Sequence, residues 1–220
     1  MSDLLVAAPL RLEALAIRSA ARRLRVRTTG MGPRRARAAV PALLADPAAA
    51  LLVLGFGGGL LAGSELCEVV VADEVVAVDE HGRPYGEAVV CDGTDALVRA
   101  LSGSGLRVRR GAVASVDQIV TGQARERMLT CGAVAVDMES VWLAQAARGR
   151  PFAVVRVLSD TPERELVRRL PVGPPLPSMA DGLRAAAALR RAAGGLDRLV
   201  RMSNLHIVFG GVRERAGEVE

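Results

Sequence analysis

Residues Ala49 to Leu54 form an unbroken apolar run that leads straight into Gly55-Phe56-Gly57-Gly58-Gly59. Strand side chains point alternately to the two faces, so a run without polar interruptions belongs to a strand covered on both sides. The neighbouring segments supply the cover. Leu4 to Ala8 reads as a short apolar strand, and Leu12 to Leu24 as a helix with Arg18, Arg22 and Arg23 on its wet side. Arg25 to Thr29 is a second strand, and Pro33 marks the start of a helix over Arg34 to Leu44. Glu68 to Val78 is a strand or hairpin, and Leu106 to Val116 a further strand. Ala133 to Asp137, Glu139 to Arg148 and Phe152 to Leu158 read as a compact strand–helix–strand unit. Strands alternating with helices specify a single α/β domain, a mixed central sheet flanked by helices.

The domain is expected to span residues 1–213, with 214–220 as a frayed tail. The Leu170 to Pro177 segment, rich in proline, is the one marked break. Beyond it, Ser178 and Asp181 resemble a capping box opening a last helix that reaches about Met202.

Composition removes several chemistries. The 29 basic residues are all arginine, so neither a lysine Schiff base nor a P-loop lysine is available. There are only five aromatic residues (Phe56, Tyr85, Trp142, Phe152, Phe209), leaving few platforms for stacked bases. Arg34 to Arg37 is the only basic cluster, and nucleic acid is not an expected partner despite the net charge of +5. Cys67, Cys91 and Cys131 are scattered and odd in number, which fits reduced thiols in a cytoplasmic protein. The amino terminus lacks a basic region before its apolar run, and no stretch is apolar enough to span a bilayer. His81 and His206 lie far apart, so no metal site is expected and no cofactor is implied.

Ligands of open α/β sheets bind beyond the carboxyl ends of the strands. Four such ends carry suggestive residues. Pro9-Leu10-Arg11-Leu12-Glu13 offers an arginine able to clamp phosphate and a carboxylate able to orient water. The glycines at 55 and 57–59 permit close approach of backbone to a ligand, or a tight turn. Val136-Asp137-Met138-Glu139-Ser140 and Arg156-Val157-Leu158-Ser159-Asp160 each end an apolar run in carboxylates. Such a pair suits glycosidic cleavage: one grips sugar hydroxyls while the other assists the leaving group as an oxocarbenium-like transition state forms.

Taken in order, these segments resemble the purine and uridine phosphorylase superfamily, particularly its nucleosidase-like branch. Thr28-Thr-Gly-Met-Gly-Pro-Arg-Arg-Ala-Arg-Ala-Ala39 is similar to its "TGxGxxxAA" segment, and Leu54 to Leu60 to its "GxAGGL" turn. Ser115 to Val120 is similar to "SGDxF", Val136 to Ser140 to "EMExAA", and Arg156 to Asp160 to "RxxSD". The resemblance implies a nucleoside phosphorylase-like fold, assembled as a homodimer or larger oligomer. It implies that Met138 and Glu139 meet the ribose. It also implies that Asp160, steered by Ser159, donates to the purine, that Ile119 and Val120 line the base pocket, and that Gly57 and Gly58 lie beneath sugar and nucleophile.

The Val-Asp-Met-Glu-Ser spelling and Glu13-Ala14 resemble the hopanoid-associated phosphorylases, which take adenine from adenosylhopane. A small adenosyl substrate, here lipid-linked, is therefore expected. Alternatives are a methylthioadenosine/S-adenosylhomocysteine nucleosidase or a futalosine hydrolase, and, in another class, a non-catalytic nucleoside-binding protein. Ile119 stands where the nucleosidases carry a pocket aromatic, and Phe56 where a smaller residue is commoner. Ala8-Pro-Leu-Arg11 is similar to the "DPLR" phosphate loop of bacterial purine nucleoside phosphorylases, which makes Arg11 the phosphate-binding residue, phosphate the co-substrate and phosphorolysis the expected route. Glu13 falls one position past the water-activating glutamate of the hydrolytic nucleosidases. The arginines and leucines of the last helix are compatible with peripheral contact at an anionic membrane.

Overall fold

A computed structural model describes residues 3–165, 179–202 and 208–209. Eight strands form one sheet: β1 (Leu4–Ala8), β2 (Arg25–Thr28), β3 (Ala50–Gly59), β4 (Val69–Val78), β5 (Pro84–Val90), β6 (Val108–Ser115), β7 (Ala135–Asp137) and β8 (Phe152–Asp160). Among the described residues, six helices surround it: α1 (Arg11–Ala20), α2 (Pro33–Leu44), α3 (Thr94–Ser102), α4 (Gln123–Met128), α5 (Ser140–Leu143) and α6 (Met179–Met202). The result is the expected α/β domain with a mixed sheet.

The sheet is not a simple open one. Its path runs β2-β1-β3-β7-β6-β4-β5, and β8 pairs with both β3 and β4. Strands β3, β8, β4, β6 and β7 thus close on one another in a ring. β3 makes this possible through its length. Its first half pairs in parallel with β1 (Leu4↔Ala50 to Ala7↔Val53), and its last two residues pair antiparallel with β7 (Gly58↔Val136, Gly59↔Ala135). β8 runs parallel along the other edge of β3, with a register shift at Gly57/Gly58.

Two apolar layers cover the sheet, as the β3 pattern demands. One includes Ile17 of α1, Leu97 and Leu101 of α3, and Leu189 and Leu196 of α6. The other includes Ala36 and Leu43 of α2 with Trp142 and Leu143 of α5. A third cluster joins Val116, Val120 and Val136 to Met128 of α4.

Several expectations need correction. Residues 57–59 are not a turn: the strand continues through every glycine, and none of Gly55, Gly57, Gly58 or Gly59 has a positive φ. Their smallness is required by neighbours instead. A Cβ at Gly57 would lie 3.0 Å from the Val136 carbonyl, and one at Gly59 2.9 Å from Ser64 Cβ. The expected strand–helix–strand unit is also absent as such, because β7 runs antiparallel to β3 while β8 runs parallel to it. Local sequence does not encode which non-local edge a strand takes. The helix expected to reach Leu24 ends at Ala20, since the chain must reverse before Arg25 pairs with Leu5. The helix over 139–148 shrinks to α5 and a 3-10 turn at Ala144–Ala146. β5, α3 and α4 carried no clear sequence signal. Met202 ends α6 as expected, whereas Ser178, the Leu170 to Pro177 segment and the 214–220 tail lie outside the described residues.

Candidate active site

The site is organised by one cation inside the sheet. Arg156, on β8, is fully buried, although its neighbours Val155 and Val157 belong to the apolar core. A buried guanidinium requires compensation by charge and hydrogen bonds. Its Nε donates to Asp137 Oδ2 at 2.8 Å, and Nη2 reaches the same oxygen at 2.7 Å. Nη2 also donates to Ser140 Oγ (3.0 Å) and to Glu139 Oε2 (3.4 Å), and Nη1 donates to the Phe56 carbonyl (3.2 Å).

Asp137, at the end of β7, is the chief partner. Its Oδ1 accepts from Ser115 Oγ (2.7 Å) and from the backbone N–H groups of Glu139 (3.1 Å) and Ser140 (3.2 Å). It therefore caps the first turn of α5 while neutralising Arg156, and Ser140 Oγ bonds to its other oxygen.

Glu139 projects next to this pair. Its Oε1 accepts the backbone N–H of Gly32 at 2.9 Å, in the Thr-Gly-Met-Gly segment that opens α2. Burial raises its pKa, with Asp137 pushing the same way and Arg156 opposing. Met138 packs partly against the third apolar cluster, its Cε lying near Gly32.

Glu13 arrives from the first turn of α1. Its Oε2 accepts the Leu10 N–H and its Oε1 the Phe56 N–H, both at 2.6 Å. The first contact is the glutamate half of a capping box, and the second ties α1 to β3. Burial pushes the Glu13 carboxyl up from its ordinary 4.5 to about 7, against the opposing pull of the two N–H groups and Arg156. Burial works against the Arg156 charge too, but Asp137, Glu139 and Glu13 outweigh it and keep the guanidinium protonated. Glu13, Glu139, Asp137 and Arg156 thus form one electrostatic unit fed by α1, β7, the start of α5 and β8.

Asp160 closes β8 on the far side of the glycines. It is ion-paired with buried Arg125 of α4, which also donates to the carbonyls of Gly59 (2.6 Å) and Val120 (3.3 Å). A Cβ at Gly58 would lie 3.1 Å from Asp160 Oδ1, so Gly58 lies beneath the carboxylate and Gly57 beneath the Arg156 stem. Ser159 donates to the Gly57 carbonyl (3.3 Å), holding the two strands together next to Asp160. A cavity of about 650 Å³ is lined by Asp117, Gln118, Ile119, Val120, Ala124 and Met128 among others. Its walls do not include Glu13, Glu139 or Asp160, but Val120 links it to the Arg125–Asp160 pair. Within it Ile119 is 59% exposed and Val120 is buried.

The remaining site residue expected from sequence lies apart. Arg11 is exposed on the outer side of the turn whose inner side buries Glu13. Sequence reasoning gave no role to Arg156 or Arg125. Arg156 was legible in principle, as a lone charge within an apolar strand run. Arg125 was not, being one arginine among 29. Among the described residues, no group of three metal-ligating side chains occurs, and no helix is long and apolar enough to cross a membrane.

The closed sheet and its strand-end cluster define a nucleoside-phosphorylase-like α/β fold. The chain belongs to the phosphorylase superfamily, whose pattern matches residues 13–201. Among solved structures it resembles a Helicobacter pylori methylthioadenosine/S-adenosylhomocysteine nucleosidase holding 5′-methylthioadenosine (18% identity, TM-score 0.74, covering 92% of this chain and 100% of that one). It is also similar to an S-adenosylhomocysteine nucleosidase from Streptococcus pyogenes (21%, TM-score 0.72, 91% and 97%). A third likeness is to futalosine hydrolase of Helicobacter pylori (17%, TM-score 0.72, 91% and 97%). No curated protein matches the chain in sequence.

Proposed function

We propose that the protein hydrolyses the N-glycosidic bond of an adenosyl compound, releasing adenine. The observation that carries this reading is the buried Glu13 carboxyl, held at about 7 beside Arg156 and Glu139. A base with that pKa is half-ionised at neutral pH, which is where general-base catalysis works best. Each oxygen of Glu13 accepts one N–H and keeps further lone-pair capacity for a water. Arg11, exposed on the opposite side of the turn, is badly placed to hold phosphate, so water replaces phosphate as the nucleophile in this reading.

In the mechanism, Glu139 receives ribose hydroxyls and fixes the sugar. Glu13 takes a proton from water as the anomeric carbon becomes oxocarbenium-like. As the N-glycosidic bond breaks, Asp160, held by Arg125, enters protonated and delivers that proton to the departing purine, so adenine leaves neutral while water's proton rests on Glu13. The base lies toward Ile119 and Val120. Arg156 touches no substrate here: it sets the positions and charges of Glu13, Glu139 and Asp137.

For the 5′ substituent, an apolar group such as that of adenosylhopane is favoured by the rim of the site. α1 starts at the carboxyl end of β1, and the first turn of α6 is tied by Asp181 to Arg164, just beyond β8. The starts of both helices, which pack in the same layer, expose apolar side chains there: Leu12 (57%) from α1, and Met179 (81%) and Leu183 from α6. The same chemistry on a soluble thioether nucleoside is the alternative, in keeping with the names of the similar structures.

The test is adenine release from adenosylhopane and from methylthioadenosine, each with and without phosphate. Phosphate-independent release is expected, faster from the hopanoid. A strict phosphate requirement would return the nucleophile to phosphate and Arg11. Release from methylthioadenosine alone would reassign the substrate, and tight binding without turnover would make the protein a nucleoside binder.

A further inference from the structure

We propose that a second site, a groove between α6, the end of α1 and Ser104, binds a phosphate-bearing anion. The open groove spans about 530 Å³, and its lining includes Arg190, Arg191, Arg198, Ser104, Gly194 and Ala20. Three guanidinium groups face a space bounded otherwise by small side chains, and no carboxylate belongs to its wall.

The first argument is that charge gathers in one concavity with no carboxylate on its wall to offset it. Among the described residues, Arg190, Arg191 and Arg198 have no carboxylate partner. Of the two carboxylates on α6, Asp181 is engaged by Arg164 and Arg184, and Asp197 does not line the groove. Three like charges converging on one concavity repel one another unless an anion joins them.

The second argument is preorganisation. Ser104 Oγ spends its proton on the Ala100 carbonyl (2.8 Å) and accepts from Arg198 Nη2 (2.9 Å). Arg198 is thereby fixed at the groove by a neutral hydroxyl, with its charge intact. A guanidinium presents paired N–H donors that match phosphate oxygens.

The third is the helix itself. α6 carries Gly194 and Gly195 in its interior, where glycine disfavours a helix. Gly195 has a packing reason, because a Cβ there would stand 2.5 Å from Ser104 Oγ. Gly194 has none: the nearest atom to its missing Cβ is Arg198 Nη1, at 3.8 Å. Its smallness leaves the groove floor open beneath the guanidinium groups. Arg22, Arg23 and Arg201, exposed on the end of α1's turn and of α6, extend the positive field around it.

This site does not depend on the strand-end cluster. Ala20 lies seven residues along α1 from Glu13, about 10 Å of helix. A phosphate group of this kind has two sources, a soluble phosphorylated compound or a phospholipid headgroup.

The experiment titrates the full chain calorimetrically with inorganic pyrophosphate at low salt. In parallel, the chain is sedimented with phosphatidylcholine vesicles with and without phosphatidic acid. Wild type is expected to bind at least one of the two probes. Arg191→Ala/Arg198→Ala and Gly194→Leu are each expected to weaken that binding at least tenfold. Gly194→Leu fills the floor while favouring the helix, so it should melt no lower than wild type and separates loss of the site from loss of the fold. Arg148→Ala, exposed elsewhere, should bind as wild type. Pyrophosphate binding identifies a soluble source, and binding confined to phosphatidic acid vesicles a lipid one. Failure of wild type to bind either probe overturns the proposal. So does unaltered binding by both groove variants, or equal loss in Arg148→Ala, which would reduce the effect to diffuse charge.

Discussion

Gly55 sits directly under the Glu13 carboxylate: a Cβ at position 55 would stand 2.6 Å from Glu13 Oε1 and 2.9 Å from Arg156 Nη1. The general base of the proposed reaction is therefore positioned by an atom that β3 lacks. Gly55→Ala is expected to push Glu13 off the Phe56 N–H, reducing kcat at least about 100-fold. The same overpacking should destabilise the fold by about 1–3 kcal/mol. Steady-state kinetics and denaturant unfolding of this single variant would measure both effects.

The raised Glu13 pKa fixes the sign of two pH dependences. As a base it acts when ionised, so activity should rise with pH through about 7 and level off above. Stability should move the opposite way. Between the ordinary 4.5 and about 7 the folded state holds a proton that the unfolded chain releases, so this group's contribution is complete below 4.5 and is lost as pH rises through 7. Glu13→Gln should eliminate the pH-dependent activity and flatten that segment of the stability curve. Its gain above pH 7 is limited, because the amide NH2 must face one of the two N–H groups that now donate to Glu13. A pH–rate profile peaking below 6 would refute the assignment.

Arg156→Met should be among the most damaging substitutions in the molecule. Removing the guanidinium strands Asp137 and Glu139 inside the sheet, a change worth about 3–5 kcal/mol for a broken buried pair. Because protonation relieves stranded carboxylates, the loss should be smaller at pH 5 than at pH 8. Chemical denaturation at the two pH values reads the difference.

Asp160→Asn retains a hydrogen-bond acceptor for Arg125 and the shape of the strand end. Turnover should fall by at least about 100-fold, well beyond what the stability lost at the buried Arg125 charge accounts for, in keeping with a group needed at the leaving purine. Near-normal turnover in this variant would remove Asp160 from the mechanism.

The sequence reveals the strands best where a run is short, apolar and bounded, as in β1 and β8. It also brings Glu13, Glu139 and Asp160 forward as carboxylates at strand ends. It misleads at residues 57–59, because glycine in a tight turn and glycine crowded by a neighbouring strand look alike until the neighbour is placed. It cannot choose between Arg11 and Glu13, two residues apart, since a small rotation of the first turn of α1 decides which faces inward. The opposed directions of β7 and β8 are hidden for a related reason: both pair with β3, about 80 or more residues earlier in the chain.

That last distance has a consequence for how the protein is made. Asp137 and Glu139 are translated before Arg156, and the edge of β3 that receives β8 stays open until Phe152 to Asp160 has emerged. A nascent chain ending before residue 156 carries two core-bound acids without their cation and an unfilled, wholly apolar strand edge. Closure of the ring and assembly of the buried charge cluster are thus one event, and it comes late. Any stall between Glu139 and Arg156 leaves an intermediate with both an aggregation-prone edge and a reason not to collapse.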